Sequence, residues 1–134
     1  MPLAFSCRIV AEVVSLLRSL ELPTVHMVGV GGWNAPHPDT RWSGRQWFDV
    51  FDAWNAGLFT GVDWDLEGND DPSSRWNAFS PAAMALVGEF SQEAKAAGYV
   101  VSLVPPESYL DVTNAGFDLS LTHAYTDWHT DFHY

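Results

Sequence analysis

Apolar residues recur at helical spacing in three stretches of the chain, with charged or polar residues between them. The first stretch runs from Cys7 to Leu22, where Arg8, Glu12 and Arg18 interrupt an otherwise apolar segment. This pattern predicts an amphipathic helix, and Pro23 should end it, because proline lacks the amide that a helix interior needs.

Two further helices are predicted by their end signals. Ser43 and Gln46 have the spacing of a capping box, and the helix that follows should end at Gly57. The pair Ser80-Pro81 is a typical start, and that helix should end at Gly98.

Short apolar segments rich in β-forming residues separate these helices. They cover residues 24–32, 58–68, 99–104 and 117–125. Strands that alternate with helices indicate crossover units and a parallel sheet, so we expect an α/β fold. The chain of 134 residues is sufficient for one domain. A closed barrel of eight strand-helix units needs about 250 residues. The pattern alone therefore leaves open a small open sheet or a part of a barrel.

Composition and charge limit the partners. The formal net charge of −11 argues against binding to nucleic acids or to anionic membranes, both of which require clustered Lys and Arg. No apolar run reaches the roughly 20 residues of a membrane span, and the charges near the N-terminus do not fit a signal peptide. The single cysteine, Cys7, excludes an internal disulfide, and the cellular compartment is not indicated.

The segment GVDWDLEGND, residues 61–70, carries the chemistry of interest. On a strand, alternate residues point to the same side, so Asp63, Asp65 and Glu67 would share one face. The apolar residues between them would share the opposite face: Val62, Trp64 and Leu66.

Three interpretations of this acidic run are open. It could be a solvated acidic turn, as most charge runs are. It also resembles the start of an EF-hand loop, but Ser74 stands where the closing bidentate acid is required. The third interpretation is acid-base chemistry, because catalytic side chains of parallel α/β folds lie at the carboxyl ends of strands, where Glu67 would be.

The segment FTGVDWDLEG resembles the D-x-x-D-x-D-x-E signature of family 18 glycoside hydrolases, the chitinase and endo-β-N-acetylglucosaminidase family. Thr60 stands in place of the first Asp. Three flanking segments resemble further family strands in the right order: VGVGGWN, VSLVPPESYLD and FDLSLTHAYTD.

The resemblance implies a partial (β/α)8 TIM-like barrel over residues 1–134, of which this chain supplies roughly the third to sixth strands. It implies hydrolysis of β-1,4 bonds in N-acetylglucosamine polymers by a substrate-assisted retaining mechanism, with no metal and no cofactor. The family is often secreted. Open sheet edges would favour self-association.

The resemblance also implies roles for individual residues. Glu67 would be the general acid and base, Asp65 would stabilise the reacting acetamido group, and Asp63 would share a proton with Asp65. Tyr125 would donate a hydrogen bond to the acetamido oxygen. The candidate substrate-binding residues are Trp33, Asn34, Glu107, His123 and Trp128.

The sequence also makes a prediction about two tryptophans and leaves two alternatives to the enzyme. Trp47 and Trp54 have helical spacing, which favours places in the core. A non-catalytic sugar-binding protein and an inactive fragment are the rival functions.

Overall fold

The computed structural model describes residues 3–33, 35–68, 70, 73 and 79–104. Three helices alternate with three strands in this part of the chain. In order they are α1 (Leu3–Ser19), β1 (Met27–Gly31), α2 (Gly44–Asn55), β2 (Gly61–Asp65), α3 (Pro81–Ala96) and β3 (Val100–Leu103).

The three strands form one parallel sheet in the order β1-β2-β3. Val62 of β2 lies opposite Val28 of β1 and Val101 of β3. The predicted α/β class and the parallel pairing are therefore confirmed. The fourth predicted strand, residues 117–125, lies outside the described residues.

The predicted helix starts are confirmed for α2 and α3. Ser43 and Gln46 form the reciprocal capping box at the start of α2, so two amide groups that the helix leaves without partners are bonded. At the start of α3, the Ser80 side chain accepts a hydrogen bond from the Ala83 amide, and Pro81 occupies the first turn.

The predicted end of the first helix was wrong by three residues. Helix α1 ends at Ser19 rather than at Leu22. Glu21 adopts a left-handed backbone conformation with φ of 51°, which stops the helix. Leu22 precedes Pro23, and a residue before proline is pushed out of the helical region.

Helices α2 and α3 cover one face of the sheet and form the hydrophobic core with it. Val62 is fully buried, and the Trp64 indole is buried against the Phe90 ring of α3. The Trp64 Nε1–H donates to Ser91 Oγ at 3.0 Å, which gives the one polar atom of this buried side chain a partner.

The prediction that Trp54 lies in the core was wrong. Its side chain is 51% exposed, as is that of Val50 on the same helix, whereas Trp47 is half-buried. Among the described residues, β1 has a strand neighbour only on its β2 side, and the described helix that packs against α2 is α3. The outer flank of α2 therefore has apolar side chains without a layer of described structure over them.

Helix α1 joins the rest of the fold near its C-terminal end. The Arg18 guanidinium donates to the carbonyl oxygens of Gly57 and Leu58, at 2.9 and 3.0 Å. Several of its apolar side chains are half exposed or more, among them Val13 and Leu16. Within the described ranges, no helix combines the length and apolar character that crossing a membrane requires.

Candidate functional site

Strand β2 separates acidic and apolar side chains onto opposite faces of the sheet. Val62, Trp64 and Leu66 are 0%, 3% and 4% exposed, on the side that the helices cover. Asp63 and Asp65 alternate with them and lie on the other face, where both are only partly buried. A solvated turn does not bury alternate residues in this way, so that interpretation of the acidic run is excluded.

The extended backbone also argues against a calcium loop. Asp63 and Asp65 belong to a hydrogen-bonded strand, whereas EF-hand ligands lie on a loop between two helices. Among the residues that the structure describes, no group of three His, Cys, Asp or Glu side chains could hold a metal ion.

Glycines lie opposite both aspartates on the neighbouring strand. Gly29 pairs in register with Asp63, and Gly31 pairs with Asp65. A Cβ atom placed on Gly29 would meet no described atom within 4 Å. The sheet surface beside the Asp63 carboxyl group is therefore open at β1.

Ser102 of β3 completes this polar row from the other side. It lies opposite Asp63 in register, and its hydroxyl donates a short hydrogen bond to Asp63 Oδ1. This hydrogen bond restrains the carboxyl group of Asp63. Strand alternation alone places Ser102 on this face, but the pairing register that puts it beside Asp63 was not readable from the sequence.

Asp65 lies where β1 comes close to β2. The Gly32 amide donates to the Asp65 carbonyl oxygen at 2.6 Å, and a Cβ placed on Gly32 would come within 4.0 Å of Asp65 Oδ2. The residues that follow the β1 strand thus pass directly beside the second acid of the row. The glycine-rich strand β1 is thus the neighbour of the acidic strand β2.

Glu67 follows the carboxyl end of β2 by two residues and is partly buried. His37, in the loop after β1, has its Nε2 atom 2.7 Å from the Glu67 carbonyl oxygen. Sequence reasoning missed His37. The signal that could have found it is its position after a strand whose carboxyl end meets that of β2 in a parallel sheet.

Asp70 connects this region to the start of α3. Its Oδ1 accepts from the Ser80 amide at 2.8 Å, and its Oδ2 accepts from the Ser80 hydroxyl at 2.7 Å. The same Oδ1 lies 3.8 Å from His37 Nδ1. The His37 ring also meets Phe79 edge to face, with 5.1 Å between the ring centroids.

Of the predicted substrate-binding residues, the structure describes Trp33. It lies two residues after β1, and 75% of its surface is exposed, so its ring is available for contact with a ligand. The remaining substrate-binding candidates and the predicted catalytic tyrosine lie outside the described residues: Asn34, Glu107, His123, Trp128 and Tyr125.

A cavity of about 370 Å³ lies on the helix side of the sheet rather than beside the acids. Its walls are mostly aromatic and aliphatic, and the lining residues are Val30, Pro36, His37, Pro38, Trp47, Val50, Phe51, Trp54, Trp64 and Phe90. None of the three acids of the row lines it. Its walls include the exposed apolar side chains of α2. Acid chemistry would therefore not occur in this cavity.

Comparison of the chain with protein-family models, with curated proteins and with solved structures gave no match.

Proposed function

We propose that this chain carries the acid-base machinery of a family 18 glycoside hydrolase and cleaves β-1,4 bonds in N-acetylglucosamine polymers. The observation that carries the proposal is the row made by Asp63 and Asp65 on the open face of β2, with Glu67 just past the strand end. Buried apolar residues alternate with these acids, so the row is part of the fold and not an accident of surface charge.

The proposed barrel is consistent with this arrangement. Consecutive parallel strands with helices on one face occur in a segment of a (β/α)8 barrel, and the acids would then face its interior. The outer edge of β3 would pair with the predicted strand of residues 117–125, and the outer edge of β1 would be free to pair with a further strand.

In the proposed reaction, Glu67 gives its proton to the glycosidic oxygen while the 2-acetamido oxygen of the sugar attacks the anomeric carbon. The bond between that carbon and the leaving oxygen breaks, and a cyclic oxazolinium ion forms. Asp65 holds the acetamido N–H and stabilises the positive charge. Water then attacks the anomeric carbon, the bond between that carbon and the acetamido oxygen breaks, and Glu67 takes the proton of that water, which restores the enzyme.

The other residues have supporting parts. Asp63, fixed by the Ser102 hydroxyl, shares a proton with Asp65. Tyr125 donates to the acetamido oxygen. Trp33 offers an exposed aromatic face on which a sugar ring stacks, with the remaining subsite contacts from Asn34, Glu107, His123 and Trp128.

The test is Glu67→Gln, with Glu89→Gln on the exposed side of α3 as the matched control. Turnover of a chito-oligosaccharide should fall by about a hundred- to ten-thousand-fold in Glu67→Gln, because the amide cannot deliver a proton. Binding, measured by calorimetry, should persist, since the amide keeps the size and a hydrogen-bonding group. Glu89→Gln should behave as wild type.

A second ligand sharpens the test. A cello-oligosaccharide has the same β-1,4 linkage but lacks the acetamido group, so a substrate-assisted enzyme should leave it intact. Hydrolysis of both ligands, or normal turnover in Glu67→Gln, would overturn the proposed mechanism.

The exposed Trp33 equally suits a second candidate function, a sugar-binding protein without turnover. Binding of the chito-oligosaccharide by the wild type with no hydrolysis would favour this candidate. Absence of both binding and hydrolysis would reject both functions.

A further inference from the structure

His37 contacts three separate parts of the chain around the candidate acid. Its Nε2 lies 2.7 Å from the Glu67 carbonyl oxygen, its Nδ1 faces Asp70, and its ring packs on Phe79. A carbonyl oxygen only accepts, so the ring must donate from Nε2. The loop after β1 is thereby joined to the segment that follows β2.

The bond to Glu67 matters because of where β2 ends. Asp65 is held by the Gly32 amide, and the Trp64 carbonyl oxygen accepts from the Val104 amide at 2.8 Å. Glu67 lies two residues past the end of the strand. The His37 side chain contacts the backbone from which the Glu67 carboxyl group extends.

The second ring nitrogen gives an independent argument. His37 Nδ1 is buried and has no hydrogen-bond partner in the described part of the chain, since 3.8 Å to Asp70 Oδ1 exceeds a hydrogen bond. A buried polar atom without a partner destabilises a fold. The buried Nδ1 therefore does not add to the stability of the fold. Destabilising features of this kind are found mainly at functional sites.

We infer that His37 is a positioning residue for Glu67: it holds the backbone of the proposed acid through Nε2 and so sets the reach of the carboxyl group toward a substrate. This inference rests on the proposed function, because it assigns Glu67 the role of acid. The role is mechanical and requires only the Nε2–H donor, so another side chain with a donor at the same reach should replace it.

Two variants place the same amide donor at different distances from the Glu67 carbonyl oxygen. In His37→Gln, the Nε2 amide lies about as far along the side chain as the histidine Nε2 and can donate to the Glu67 carbonyl oxygen. In His37→Asn, the same amide sits one carbon shorter, near the position of Nδ1, and cannot reach it. Any difference between the two variants therefore reports the bond to Glu67.

The first readout is the backbone order parameter of Glu67 from ¹⁵N relaxation of the 134-residue chain, with Val62 as an internal reference. We expect His37→Asn to lower the order parameter at Glu67 and leave that of Val62 unchanged, and His37→Gln to match wild type. This readout does not depend on hydrolysis, so it decides the positioning role even if the proposed function fails.

The second readout is turnover of a chito-oligosaccharide. His37→Asn should lower kcat by up to about a hundredfold, since a misplacement of about 1 Å can cost this much, while the melting temperature and oligosaccharide binding stay near wild type. His37→Gln should restore most of kcat. Equal order parameters in the two variants, equal kcat where the wild type is active, or a loss in His37→Asn that follows a lowered melting temperature would each overturn the inference.

Discussion

Gly31 and Asp65 approach so closely that no larger residue fits at position 31. A Cβ atom on Gly31 would overlap the Asp65 carbonyl oxygen and lie 3.0 Å from the Leu66 amide nitrogen. The φ angle of Gly31 is 120°, in a region that residues with a Cβ rarely adopt. The close pairing of β1 with the acidic strand therefore depends on this glycine.

Gly31→Ala should destabilise the protein by at least about 2 kcal/mol, because strain at this φ angle and overlap with β2 both act against the native pairing. Urea unfolding followed by circular dichroism measures the change. Gly29→Ala is the matched control: it lies on the same strand, and its Cβ would meet no described atom within 4 Å. Equal stability of the two variants would show that Gly31 does not lie in close contact with the Asp65 backbone.

The side chain of Asn55 closes the turn between α2 and β2. It is 2% exposed, its Oδ1 accepts from the Phe59 amide at 2.7 Å, and its Nδ2 donates to the Phe59 carbonyl oxygen and to the Tyr99 hydroxyl. Asn55→Ala should lower the free energy of unfolding by about 2 to 3 kcal/mol, because the partly buried backbone groups of Phe59 lose their partners. Gln92→Ala, an exposed amide on α3, should change it by less than about 0.5 kcal/mol.

Asp39 and Arg41 give a prediction on pH. Side-chain hydrogen bonds from the Arg41 guanidinium are the main cause that lowers the pKa of Asp39 from 3.8 to about 2, with a backbone bond from Arg41 as the second. A carboxyl group with a lowered folded-state pKa stabilises the fold above its unfolded pKa. That contribution is lost as the pH falls from about 4 toward 2.

Arg41→Gln should therefore raise the pKa of Asp39 toward 3.8 and flatten the pH dependence of stability in this acidic window. Carboxyl ¹³C shifts measured by NMR over this range report the pKa directly. A pKa of Asp39 that stays near 2 in the variant would mean that Arg41 is not the cause.

The sequence was sufficient for the elements whose information is local. The capping residues of α2 and α3 lie directly before the helices they start, and the period of two in β2 placed Asp63 and Trp64 on opposite faces without any knowledge of the neighbouring strands. The acid row of the candidate site was predictable for this reason. The roles of residues beyond the described part of the chain, such as Tyr125, remain predictions.

What the sequence could not supply depends on distant segments. Ser102 reaches Asp63 through the pairing register of two strands, and His37 reaches Glu67 through the course of a loop. Neither relation leaves a pattern within its own segment. Trp54 was misplaced for a similar reason: helical spacing shows which side chains share a face, but not whether another layer covers that face.

The division of β2 into a buried and an open face also bears on how such a protein can change over generations. Substitutions at Val62 or Trp64 put the fold at risk, whereas substitutions at Asp63, Asp65 or Glu67 leave the core untouched. Positions that set stability therefore alternate with positions on the open face that can change without cost to the core. If Glu67 is the acid, a single replacement there would turn a hydrolase into a stable sugar-binding protein, and the reverse step would be equally short.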